Sequence, residues 1–130
     1  MNLESPKITV EKSAEYLFEQ LVDLKNFEKL MPENTSKFQV VAADAFDFCL
    51  SGMPEIQLQL KDKLPSSKIV LGAAGDKLPF TLSIHIETVS ENSAAVQLYF
   101  EGIFNAMMAM MVKGPITKFI ETLAQNTNKL

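Results

Sequence analysis

The sequence predicts an α+β fold in which a curved antiparallel sheet, built as a meander, wraps around a long C-terminal helix. Three observations carry that expectation. Six successive segments favour β residues and are separated by turns too short for a crossover. Apolar and polar residues alternate strictly within those segments, which leaves one wet face. The last stretch changes to three- and four-residue apolar spacing, the period of a helix that covers the other face.

The opening residues Leu3–Glu11 read as an extended segment, with Ile8 and Val10 alternating against Thr9 and Glu11. Ser13 follows as a helix N-cap, because its hydroxyl can accept from the unpaired N–H groups of a first turn. Glu15 complements the helix dipole there, and Leu17, Phe18, Leu21, Val22 and Leu24 form the apolar stripe. Asn26 is placed to cap a second short helix, Phe27–Met31, which Pro32 stops.

The strands are expected at Ser36–Val41, Phe46–Ser51, Glu55–Leu64, Lys68–Ala73, Leu78–Val89 and Ala94–Phe104. Turn chemistry separates them at 42–45, 52–54, 65–67, 75–77 and 90–93. Parallel neighbours need a dozen or more connecting residues, so only antiparallel pairing is open to these segments. Phe46, Phe48 and Leu50 alternate with Asp47, Cys49 and Ser51, and Ile56, Leu58 and Leu60 with Gln57, Gln59 and Lys61. Leu82, Ile84 and Ile86 alternate in the same way with Ser83, His85 and Glu87.

From Ala106 to Asn128 the apolar positions Met108, Met111, Val112, Ile116, Phe119, Ile120 and Leu123 keep helical spacing. Such a helix is about 33 Å long at 1.5 Å per residue, enough to cross a sheet. Gly114–Pro115 is expected to kink or break it, because proline removes a donor and crowds the preceding turn.

A chain of 130 residues has a prior of one domain, here 1–130, and can bury a core without staples. The one cysteine excludes an internal disulfide and a thiolate zinc cluster. No basic start with an apolar run behind it is visible, and the richest apolar stretch, Ala106–Val112, is too short for a bilayer. A cytoplasmic location is the expectation. Net charge is −4 and the twelve basic residues are scattered, which argues against nucleic acid and against an anionic membrane surface.

The order strand, two short helices, meander and long helix resembles the START-related helix-grip superfamily (SRPBCC), whose relatives include the birch-pollen allergen, polyketide cyclases and lipid-transfer domains. The opening ITVEKSAEYLFEQLVDLKNFEKLMP and the glycine-proline helix carry the resemblance, which spans the whole chain. It implies a cavity between the concave sheet face and the long helix. Phe48, Leu50, Leu58, Leu60, Phe80, Leu82, Ile84, Leu98 and Phe100 would line its sheet side, and Met107, Met108, Met111, Val112 and Phe119 its helix side. Enzymes of that superfamily carry inward polar or charged residues, and no such set is matched here.

The chemistry-bearing residues argue the same way. Cys49 shares strand parity with Asp47 and Ser51, hence faces away from the cavity, and lacks a basic neighbour to activate it. His85, the one histidine, falls on the wet face with Glu87 and Glu101, fewer ligands than a metal site needs. No G-x-S-x-G supports a serine nucleophile, and Gly72–Lys77 lacks the spacing of a phosphate loop. Asn34-Thr-Ser is a glycosylation sequon without a secretory route. No metal and no cofactor are expected.

The methionines at 107, 108, 110 and 111 are the compositional oddity. Methionine is flexible and polarizable, so it suits core packing, a ligand wall or an exposed dimer contact. The reading favoured is non-catalytic binding of a small apolar or amphipathic ligand such as a lipid, an isoprenoid or an aromatic metabolite. The alternatives are a cyclase- or hydrolase-like enzyme using Asp62, Thr88 or Asn105 at the rim, and an interaction module or homodimer whose cavity is filled.

Overall fold

A computed structural model describes residues 2–50, 55–73 and 80–130. The elements follow in the order β1 Asn2–Glu4, β2 Ile8–Val10, α1 Ala14–Val22, a 3₁₀ helix Leu24–Lys29, β3 Thr35–Ala42, β4 Ala45–Leu50, β5 Ile56–Leu64, β6 Lys68–Ala73, β7 Phe80–Ser90, β8 Ser93–Gly102, α2 Ala106–Asn126 and a 3₁₀ turn Thr127–Lys129. One antiparallel sheet of eight strands runs β1-β8-β7-β6-β5-β4-β3, with β2 also paired to β8. This is the helix-grip fold: a meander from β3 to β8, closed at one edge by the N-terminal strands and spanned by α2.

The opening strand is not continuous. Pro6 has no N–H for the ladder, so the extended segment splits into β1 and β2 at Ser5–Lys7. Ser5 holds the break closed. Its backbone N–H donates to the Leu98 carbonyl at 2.9 Å, and its buried hydroxyl accepts from the Leu98 N–H at 2.9 Å.

The cap expected for α1 forms, with the Ser13 hydroxyl accepting from the Tyr16 N–H at 3.1 Å. The second helix differs from expectation. It begins earlier and is of 3₁₀ type, and its cap is Asp23, whose carboxylate accepts from the Lys25 N–H at 3.3 Å. Asn26 instead points back to α1, where its side-chain amide donates to the Gln20 carbonyl at 2.8 Å. Helix α2 is not broken at Gly114–Pro115: it runs as one helix through both residues. Both residues and Met111 are exposed, so water can hydrate the Met111 carbonyl that proline leaves without a donor.

Burial follows the alternation. Phe46, Phe48, Leu58, Leu71, Leu82, Ile84, Leu98 and Phe100 are buried on the concave face, against Leu17, Leu21 and Phe27 from the N-terminal helices and Phe119, Ile120 and Leu123 from α2. The C-terminal end of α2 is tied down by polar contacts. The Asn126 amide donates to the Leu30 carbonyl at 2.9 Å, and the Lys12 ammonium donates to the carbonyls of Asn128 and Leu130. A cation at a helix C-terminus is favoured by the helix dipole.

Candidate functional site

The space between sheet and α2 differs at its two ends. Under the C-terminal half of the helix it is filled by aromatic side chains of the protein itself. Phe48 and Phe119 stack with centroids 5.1 Å apart and planes 3° from parallel. Behind them Phe46 contacts Phe27 at 5.3 Å and Phe38 at 5.1 Å.

The other end is looser. Phe80 stacks on Phe100 at 5.2 Å, and Phe104 lies parallel to Phe100 at 6.1 Å. Phe80, Phe104, Leu60, Met108 and Val112 are only half-buried. Met107, Met110 and Met111 are 74%, 84% and 65% exposed, beside Ile103. Gly102 is buried where a Cβ would meet the Phe104 ring at 2.5 Å, so only glycine lets that ring fold back over the sheet.

The residues expected to line a cavity therefore fall into three groups. Phe48, Leu50, Leu58, Leu82, Ile84, Leu98, Phe100 and Phe119 are buried core side chains. Leu60, Phe80, Met108 and Val112 border the looser end. Met107 and Met111 do not face the sheet, because at 3.6 residues per turn they sit between Met110 and Met108 on an arc of which the Met108 edge alone is half-buried. Ile103 and Phe104 join this end without having been named among the lining residues. The one available signal was the aromatic two residues after a strand-ending glycine.

The remaining chemical candidates are scattered. Cys49 is half-buried on β4, opposite Lys37 of β3. Asp62 is exposed and accepts from the Lys63 N–H at 2.8 Å, and Thr88 is exposed toward the far end of β7. Asn105 serves as the N-cap of α2, its side-chain oxygen accepting from the Met108 N–H at 2.8 Å. His85 lies on the outer face with its ring edge toward Tyr99 at 4.6 Å. Burial, and then the nearby charge of Lys68, lower its pKa below the usual histidine value. Among the described residues Ser5 and Thr127 are the fully buried polar residues, both hydrogen-bonded, and the hydroxyl oxygen of Thr35 is buried without a hydrogen-bond partner. No group of three or more His, Cys, Asp or Glu gathers among the described residues, and no helix there is long and apolar enough to cross a membrane. The turns at 52–54 and 75–77, the end of the phosphate-loop reading and Leu78 lie outside the described residues.

The concave apolar face under a single long helix defines the class of fold, and the solved structures place the chain in it. It superposes on norcoclaurine synthase from Thalictrum flavum, in complex with dopamine and hydroxybenzaldehyde, with a TM-score of 0.74 and 12% identity, covering 99% of this chain and 84% of that one. The di-domain ARO/CYC BexL from the BE-7585A biosynthetic pathway matches at TM-score 0.68 and 14% identity over 97% of this chain, which spans about half of the longer protein (46%). A conserved protein from Geobacillus kaustophilus matches at TM-score 0.69 and 12% identity, over 99% and 93% of the two chains. No family model matches the sequence, and no curated protein does.

Proposed function

We propose that this chain binds a small apolar or amphipathic molecule between the concave sheet and the N-terminal half of α2, without transforming it. The observation that carries the reading is the contrast along α2. The half beyond Ile116 is shut by ring stacking, whereas Met108, Val112, Phe80 and Phe104 border a loosely closed end rimmed by exposed methionines. Flexible thioethers at a mouth can repack around guests of different shape. The absence of a buried titratable group among the described residues favours binding over acid–base chemistry. The enzymatic alternative draws on the shared fold of norcoclaurine synthase, solved with dopamine and hydroxybenzaldehyde, and of the ARO/CYC protein from a biosynthetic pathway.

The test is an apolar fluorescent probe titrated into the native chain and displaced by fatty acids or isoprenoids. Met108→Trp should weaken the probe while leaving the fold intact. Absence of wild-type binding, together with a loss of about 1–3 kcal/mol from overpacking in Met108→Trp, would retire the reading in favour of a filled module.

A further inference from the structure

The outer face of the sheet holds a cleft of about 340 Å³, on the side opposite the concave core. The pleat sends His85 and Glu87 of β7 and Gln97 and Tyr99 of β8 outward, paired His85 to Gln97 in register. The Ser5–Lys7 crossing between β1 and β2 walls one side. The β5–β6 turn walls the other. There Pro65 and the left-handed Ser66 (φ 59°) make a tight reversal, closed by the Ser67 N–H donating to the Leu64 carbonyl at 3.0 Å.

Most polar groups of the cleft already have partners. The Tyr99 hydroxyl donates to the Gln97 side-chain oxygen at 2.9 Å, and the Gln97 amide donates to the Ser5 carbonyl at 2.9 Å. Lys7 is paired with Glu87 at 3.1 Å across the rim. Lys68 is different: it is half-buried and lines the cleft, and its ammonium makes no ion pair or hydrogen bond among the described residues. The His85 ring likewise makes no hydrogen bond there, and its depressed pKa leaves it a neutral donor and acceptor at neutral pH. Leu64 and the His85–Tyr99 pair supply apolar and aromatic surface.

We infer that this outer cleft is a second binding site, for a small planar aromatic carboxylate whose ring lies along Tyr99 and Leu64 and whose carboxylate meets Lys68. One unpaired half-buried cation calls for a single negative charge. A bare phosphate has no ring to lie along Tyr99 and Leu64, and a cation would find Glu87 already neutralised by Lys7. The volume sits at the small end of the roughly 300–1,000 Å³ typical of ligand sites, which suits one ring and not a long acyl chain. The inference is independent of the concave-face reading, because the two sites lie on opposite faces of the sheet.

Benzoate is the probe, titrated into the full isotope-labelled chain and followed by NMR. Saturable shifts at Lys68, His85 and Gln97 are expected, with contacts from the benzoate ring protons to the side chains of Tyr99 and Leu64. Benzyl alcohol, which keeps the ring and loses the charge, should bind at least about tenfold more weakly, as should benzoate to Lys68→Gln, because a charge-assisted hydrogen bond is lost in each. Glu87→Gln frees Lys7 as a second cation and should tighten benzoate, a change opposite in sign to any general loosening of the fold. Each variant must keep the wild-type spectrum elsewhere. No saturable shift, ring contacts confined to Phe119 and Met108, equal affinity for benzyl alcohol, or unchanged affinity in Lys68→Gln would each overturn the proposal.

Discussion

Phe119→Ala is the sharpest test of how the helix seats on the sheet. The side chain is 4% exposed and stacks face to face on Phe48 across the sheet–helix interface. Aromatic side chains bury about 150–250 Å², and at about 25 cal/mol per Å² that gives an upper bound of roughly 4–6 kcal/mol. Alanine recovers part of that area, but the vacated ring volume leaves Phe48 facing a void, and the usual cost of the substitution is about 3–5 kcal/mol. Urea unfolding monitored by circular dichroism reads this directly. In a thermal scan the same loss should lower Tm by about 12–20 °C, at roughly 4 °C per kcal/mol for a chain of this size. A Phe48→Ala and Phe119→Ala double-mutant cycle should return a coupling of about 0.5–1.5 kcal/mol, the increment of an aromatic pair beyond its area. A single-mutant loss below about 0.5 kcal/mol would place Phe119 outside the core and refute the packing of α2.

Ser13→Ala should cost about 1 kcal/mol by orphaning the Tyr16 N–H at the start of α1, measurable by the same unfolding curves. Gly102→Ala should push the Phe104 ring off Phe100 and destabilise by about 1–3 kcal/mol, with the ring displacement visible as altered Phe104 resonances. Lys7→Gln, which breaks an exposed ion pair, should change stability by less than about 1 kcal/mol. His85 makes stability depend on pH in a definite direction: its folded pKa lies below the unfolded value of about 6.5, so the unfolded chain binds more protons between those two values. Stability contributed by this group should be complete above about pH 6.5 and decline as pH falls toward the folded pKa, and His85→Gln should remove that slope from a urea–pH series.

The sheet was legible because each strand reports its own face. Phe46, Phe48 and Leu50, or Leu82, Ile84 and Ile86, state the buried side without reference to partners, and short turns leave only neighbouring antiparallel pairing. Where expectation failed, a tertiary contact outvoted a local preference. Asn26 is a good cap by composition, yet its amide does more by donating to Gln20 of the preceding helix, and Asp23 takes the cap. Leu3–Glu11 read as one extended segment although Pro6 lacks the N–H to continue a ladder, and nothing local announced that Ser5 would pair with Leu98, ninety-three residues away.

The sites were less legible, since a cavity is defined by what fails to touch. Periodicity places Met107, Met108, Met110 and Met111 on a helix but not the rotation of that helix about its axis. The Phe48–Phe119 stack and the Asn126–Leu30 hydrogen bond fix the rotation from the far end, which turns Met107 and Met111 to solvent. The outer cleft was hidden for a related reason. Lys68, His85 and Tyr99 each read as ordinary wet-face residues along their own strands, and the alternation that marks them as outward carries no information about neighbours across the ladder. Register supplies it: Lys68 lies opposite His85, and Tyr99, opposite Ser83, is the diagonal neighbour whose ring meets the imidazole, so a cation, an imidazole and a phenol come together. A wet face is thus a set of unassigned donors and rings until pairing decides which of them meet. Here it leaves one of them, Lys68, with a charge and no partner among the described residues.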